Sequence, residues 1–212
     1  MSQEPTESDI YWIFRERPDT TFVAISRPAV AWVNEVAIRT FFDGQAPMAE
    51  VHGDPEANPA NFHGKLQIDN APTPVAIHIG MRIAFTRNIN KEIDYVNGMG
   101  ATVTGMDHAG IRTRTDSGYR VSVFPWTEDD KRFPWRPRVV FLPLRAGYAT
   151  TLLKVQGATI PHLTIWLDVP NIEAAGYVAL SRVEKDANWQ FVGDPSIHHF
   201  TPAGAITPAV AA

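Results

Sequence analysis

Cysteine is absent from this 212-residue sequence. That excludes a disulfide scaffold, a thiolate zinc site and a cysteine nucleophile. Long apolar runs are absent too: nothing approaches the roughly 18 residues of a membrane-spanning helix. No charged start followed by a short apolar core marks a secretion signal, so a soluble, non-membrane protein is expected. Also missing is any Gly-x-x-x-x-Gly-Lys-(Ser/Thr) loop to cradle phosphates. Gly64-Lys65-Leu66 has neither the second glycine nor the hydroxyl, so the chain is not expected to hydrolyse a nucleoside triphosphate by itself. His52, His63, His198 and His199 lack metal-ligand spacing, Glu128-Asp129-Asp130 follows no apolar strand, and Ser181 has no recognisable His and Asp partners. No metal site is expected.

The length suffices for one sizeable domain, or one domain with a small insertion; the 44% hydrophobic content is that of a soluble globular protein, and 17 prolines foretell many loops. Net charge is −4, which argues against a generally basic nucleic-acid binder, but the charge is unevenly spread. Residues 1–80 hold 5 Lys/Arg against 11 Asp/Glu, residues 81–145 hold 11 against 7, and residues 146–212 hold 3 against 5. A basic middle third inside an acidic chain fits a phosphate-facing surface, or simply a solvated β-rich face of mixed charge.

The pattern opens with a helix over Asp9–Arg17 and a strand over Thr21–Ser26. A helix follows near Pro28 with Ser26 as its cap, and it repeats Val33, Val36, Ala37 and Phe41 along one face. Residues 43–74, with Pro47, Pro55, Pro59, Pro72 and Pro74, read as a long polar loop. A strand over Arg82–Thr86 comes next. After the Asn97-Gly98 turn, strands over Ala101–Gly105, Ile111–Thr115, Tyr119–Phe124 and Val139–Leu142 read as an antiparallel β module. The α/β pattern then returns: a strand over His162–Asp168, a helix over Asn171–Arg182, a strand over Trp189–Val192, and a frayed tail after Phe200.

Two stretches carry chemistry. One runs Ala149-Thr150-Thr151-Leu152-Leu153-Lys154-Val155-Gln156-Gly157-Ala158-Thr159, a strand breaking into polar residues and a glycine. Ligands of open α/β sheets gather where strands end in this way, and glycine lets backbone N–H groups approach a phosphate. The other is Tyr177-Val178-Ala179-Leu180-Ser181-Arg182, which brings an arginine to a helix end, in reach of that same strand edge. Taken singly, a glycine turn is usually only a turn and a terminal arginine usually complements the helix dipole.

Together and in this order they resemble motifs five and six of the Pif-type and RecD-like superfamily-one DNA helicases. There the first reads roughly Ala-x-Thr-(Ile/Val)-His-Lys-(Ser/Val)-Gln-Gly-x-Thr and the second Tyr-Val-Ala-Leu-Ser-Arg. Arg87-Asn88 with Val96-Asn97-Gly98 resembles the stretch before that family's small β-barrel, and the resemblance covers most of residues 20–200.

The resemblance implies an α/β fold: a RecA-like, P-loop-NTPase-type parallel-sheet lobe with an inserted small antiparallel β-barrel, the nucleotide-loop lobe being absent. Residues 1–97 would begin the lobe, 98–146 form the barrel, 147–200 complete the lobe, and 201–212 form a flexible tail. It implies the C-terminal portion of an ATP-dependent DNA helicase, in the setting of DNA repair and recombination. Arg182 would be the arginine finger, Gln156 and Gly157 would face the nucleotide, and Thr151, Lys154, Asn88 and Asn97 would lie along DNA. The cofactor would be ATP with Mg²⁺, whose ligands come from the missing lobe. Partners would be single-stranded DNA and a first RecA-like lobe in cis or in trans. The compartment is left open, nucleus and mitochondrion both fitting a eukaryotic source.

One departure stands out: the family histidine before the motif-five lysine is Leu153 here, which cannot hydrogen-bond a phosphate. That favours a rival reading, a truncated, inactive single-stranded-DNA-binding module; a fold kept only for protein interaction is a third. Trp126 and Trp135, among Lys131, Arg132, Arg136 and Arg138, can stack bases, but packing inside the β module is the favoured role.

Overall fold

A computed structural model describes residues 4–64, 66–129, 138–156 and 159–203. In chain order the elements are α1 (Glu7–Glu16), β1 (Thr21–Ala24), α2 (Arg27–Phe42), β2 (Ala49–Gly53), β3 (Phe62–His63), β4 (Leu66–Gln67), β5 (Thr73–Ile77) and β6 (Arg82–Phe85). Then come β7 (Gly100–Met106), β8 (Ile111–Thr115), β9 (Arg120–Val123), β10 (Trp126–Glu128), β11 (Val139–Phe141), β12 (Leu144–Ala146), β13 (Ala149–Thr151), β14 (Leu163–Trp166), α3 (Ala175–Leu180) and β15 (Trp189–Phe191). The chain divides into two compact units, Met1–Val30 with Thr150–Ala212, and Ala31–Ala149.

The first unit is built on a sheet of order β13-β1-β14-β15. β1 runs parallel to β14, Thr21 opposite Leu163, and β14 runs parallel to β15, Leu163 opposite Trp189. Short apolar strands of this kind are buried on both faces, as helices cover a parallel sheet. Val23, Leu163, Ile165 and Leu167 share one core with Leu152, Val155, Ile160, Ala175 and Ala179. A polar thread crosses the buried sheet: Gln190 donates to Thr164 Oγ1 at 3.1 Å, and the Thr164 and Thr20 hydroxyls share a hydrogen bond of 3.0 Å. α1 starts earlier than its apolar pattern suggests because Thr6 and Asp9 form a reciprocal capping box. Its Ile10 and Phe14, one turn apart, are buried, with the Phe14 ring 4.9 Å from Phe22.

α3 is shorter than expected. Asn171 and Ala174 adopt left-handed backbone angles (φ 61° and 59°), which keeps residues 171–174 out of the helix. Of the expected frayed tail after Phe200, residues 204–212 lie outside the described residues.

In the second unit the main sheet is antiparallel, of order β12-β6-β7-β8-β9. Its alternation is clean: along β8, Ile111, Thr113 and Thr115 are buried while Arg112 and Arg114 are exposed. The expected barrel is an open sheet here, for β12 and β9 form its two edges and no pairing joins them among the described residues. The sheet takes in Arg82–Phe85, ahead of the Asn97-Gly98 turn, whose Gly98 has φ +90°.

The stretch read as a loop, residues 43–74, holds more structure than its prolines suggest. β2 and β5 pair antiparallel with Val51 opposite Val75, and β3 pairs with β4. Between the strands Asn61 satisfies backbone groups outside any ladder: its Nδ2 donates to the Pro55 and Ala71 carbonyls at 2.9 and 2.8 Å, and its Oδ1 accepts from Ala71 N–H. Proline punctuation signals irregular backbone, but not whether side chains will satisfy it. No helix among the described residues is long and apolar enough to cross a membrane.

Candidate functional site

Both motifs belong to the first unit. Motif five leaves β13 through a single 3-10 turn over Leu152–Val155, which buries Leu152 and Val155 in the core. Because i and i+3 eclipse in such a turn, the other positions face solvent. Leu153, Lys154 and Gln156 are exposed, Leu153 at 73%. Thr151, at the head of the turn, is half-buried and makes no capping bond through its side chain. Gly157 lies outside the described residues.

Motif six is α3 and its exit. The Arg182 carbonyl accepts the Ile160 N–H at 2.8 Å. Ile160 lies three residues before β14 begins, so the backbone of Arg182 sits on the amino-terminal side of β14. The reason is topological: a helix leaving the carboxyl end of one strand and feeding the next parallel strand must finish near that strand's amino end. Gln156 is four residues upstream of Ile160 and therefore within about 14 Å of it along the chain. One hydrogen bond thus ties the end of motif five to the end of motif six.

The Arg182 guanidinium is half-buried and folded back on its own helix end. Nη2 donates to Ser181 Oγ at 2.7 Å and Nε to the Val178 carbonyl at 3.3 Å. Both acceptors are neutral, and no carboxylate pairs with this arginine among the described residues. A cation so held is electrostatically uncompensated, which suits a phosphate.

At the opposite end of β14, sequence reasoning missed Asp168. Its carboxylate accepts from Ile25 N–H at 2.7 Å and Ser26 N–H at 3.1 Å, anchoring the turn from β1 into α2. An acid closing an apolar strand was the available signal. Asp168 also lines a cavity of about 50 Å³ with Trp166, Pro170, Asp194, Ser196 and His199. Its acidic wall repels phosphate, so this cavity is no nucleotide site. His199 is buried there, accepting from Ser196 N–H at Nδ1, so its proton sits on Nε2 and faces the Val169 carbonyl. No group of three or more metal-ligating side chains exists among the described residues.

Asn88 and Asn97 lie in the second unit, both exposed. Asn88 Oδ1 accepts from Asn97 N–H at 2.9 Å, closing the intervening loop. Beside them Arg87 is pinned between buried Asp54 and Glu128, its guanidinium 5.0 Å over the Phe141 ring. Burial opposes its charge, yet the bond to Glu128 and the fields of Asp54, Glu128 and Glu56 prevail and raise its pKa. Glu128 is therefore an ion-pair partner, and Asp129 pairs with Arg138 at 2.7 Å. Trp126, on β10, is partly exposed; Asp130, Lys131, Arg132, Trp135 and Arg136 lie outside the described residues, as does Lys65.

No family model matches the chain. Over 136 residues it is 32% identical to the ATP-dependent DNA helicase Pif1 of Bdellovibrio bacteriovorus, a match covering 58% of this chain and 30% of that protein. Its fold is similar to that of Pif1 helicase from Candida albicans (TM-score 0.64, 18% identity, 90% of this chain and 48% of that one). It is similar also to Bacteroides Pif1 helicase in complex with ADP-AlF3 and single-stranded DNA (TM-score 0.61, 19% identity, 92% and 47%). The chain thus spans less than half the length of these relatives. In sequence over those 136 residues, and in fold over most of its length, the chain is similar to part of these Pif1 helicases.

Proposed function

We propose that this chain is the second motor lobe of an ATP-dependent DNA helicase, working with a first RecA-like lobe that supplies the phosphate loop and the Mg²⁺ ligands. The observation that carries the reading is the Ile160–Arg182 hydrogen bond, which joins motifs five and six at one end of the sheet beside a cation with no carboxylate partner among the described residues. Arg182 is the arginine finger, meeting negative charge that develops on the transferred phosphoryl group. Gln156 and Gly157 face the nucleotide from the same end. Thr151, Lys154, Asn88 and Asn97 follow the DNA backbone; exposure of the last three supports that role. ATP with Mg²⁺ is the cofactor, single-stranded DNA the track, and DNA repair and recombination the setting. The motor lobe comprises residues 1–97 and 147–200, interrupted by the 98–146 module.

A second reading, a DNA-binding module without turnover, is favoured by Leu153, an exposed apolar side chain where a histidine would hydrogen-bond. One experiment separates the two. The purified chain is mixed with the first lobe of a Pif1-type helicase, and Mg²⁺-dependent ATP hydrolysis is followed with and without single-stranded DNA. Turnover should require both components. Hydrolysis by the chain alone would overturn the lobe assignment, and silence of the mixture with DNA binding retained would establish the module.

A further inference from the structure

The outer face of β7, β8 and β9 carries Thr102, Thr104, Arg112, Arg114, Arg120 and Ser122, and the strands themselves contribute no carboxylate to it. Register places Arg114 between Thr102 on β7 and Arg120 on β9. Two guanidinium-bearing residues directly opposite each other on one face of an antiparallel pair repel. Neither has an acidic partner among the described residues. The neighbouring acids are engaged in turns at the ends of these strands. Asp116 takes Arg82 at 2.9 Å, and Asp107 accepts the Ala109 and Gly110 N–H groups at 2.9 and 3.2 Å while its other oxygen lies 3.9 Å from Arg112 Nε. Arg112 lies flat across the sheet because β7 has a glycine beneath it: a Cβ on Gly105 would come within 2.8 Å of Arg112 Nη2. The same face ends at Phe124, 52% exposed.

An uncompensated arginine pair, hydroxyls on either side and an exposed aromatic ring at the rim match a polyanion bearing flat rings. We propose that this face is a second contact surface for single-stranded DNA, Arg114 and Arg120 holding phosphates and Phe124 stacking a base. The choice of DNA rests on the helicase reading above. Repulsion across the Arg114–Arg120 pair is relieved when phosphate binds, so the pair is a binding device rather than a stabilising one.

The test uses the whole chain and a labelled oligothymidylate of about twenty nucleotides, long enough to cover a typical binding site. Affinity is measured over a salt series for the native protein, for Arg114→Ala with Arg120→Ala, and for Arg15→Ala with Lys185→Ala, which removes equal charge elsewhere. Each phosphate contact on a single strand contributes about 0.7 to the log–log salt slope, so the first double variant should lose about 1.4. Phe124→Ala should weaken binding at least about fivefold with the slope intact. Thermal melting should show the arginine variant at least as stable as the native chain. An unchanged slope, a loss matched by the control variant, or tighter binding to phosphatidylserine vesicles than to the oligonucleotide would overturn the proposal. Salt-sensitive binding through this face with a reconstituted ATPase that stays silent would instead sink the motor reading and leave this surface standing.

Discussion

Tyr95 is 4% exposed, its ring 4.4 Å from Phe85, and its hydroxyl meets no hydrogen-bond partner among the described residues. A buried hydroxyl without a partner costs about 1–3 kcal/mol, so Tyr95→Phe should leave stability unchanged or raise it slightly. The pH dependence has a definite sign. Burial holds the Tyr95 phenol well above the ordinary tyrosine value. The unfolded chain therefore ionises first, and stability present below about pH 10 is lost as pH climbs beyond it. Urea unfolding at neutral pH and again above about pH 10 should show a smaller alkaline loss for Tyr95→Phe than for the native protein. A larger loss, or marked destabilisation at neutral pH, would mean that the hydroxyl is satisfied after all.

Among the elements, the corner between β12 and β13 is the least forgiving. Gly147 donates its N–H to the Arg82 carbonyl at 3.0 Å, and a Cβ there would stand 2.5–2.9 Å from the backbone of Ile83. Backbone within a sheet cannot yield as a side-chain tip can, so Gly147→Ala should cost roughly 1–3 kcal/mol, read as a lowered melting temperature. A variant melting like the native protein would show that the corner relaxes freely. Legibility follows the same physics. The meander from β7 to β9 was plain because Ile111-Arg112-Thr113-Arg114-Thr115 alternates strictly, one residue in and one out. The β2–β5 ladder is hidden because Ala49–Gly53 alternates weakly between prolines, and the segment joining the two strands is held through Asn61, a contact no local pattern announces. α3 was over-extended because nothing in its letters forces Ala174 into a left-handed conformation.

For the whole molecule, the acidic average conceals a basic middle third, and three of its arginines share one exposed sheet face. Tyr177-Val178-Ala179-Leu180-Ser181-Arg182 was readable from letters alone, whereas the end of the sheet holding Arg182 followed only from topology. Leu153 has the opposite history: visible as a departure in sequence, it became a surface residue only once the 3-10 turn was seen to bury its neighbours. The central claim is that Arg182 completes a nucleotide site shared between two lobes. Its most direct measurement is the DNA-stimulated kcat of the reconstituted two-lobe enzyme with Arg182→Ala, alongside circular dichroism of the variant chain. An arginine finger is typically worth about 10³–10⁵ in rate. The account predicts a loss approaching that range with the fold and DNA affinity retained, and a kcat within about twofold of the native enzyme would contradict it.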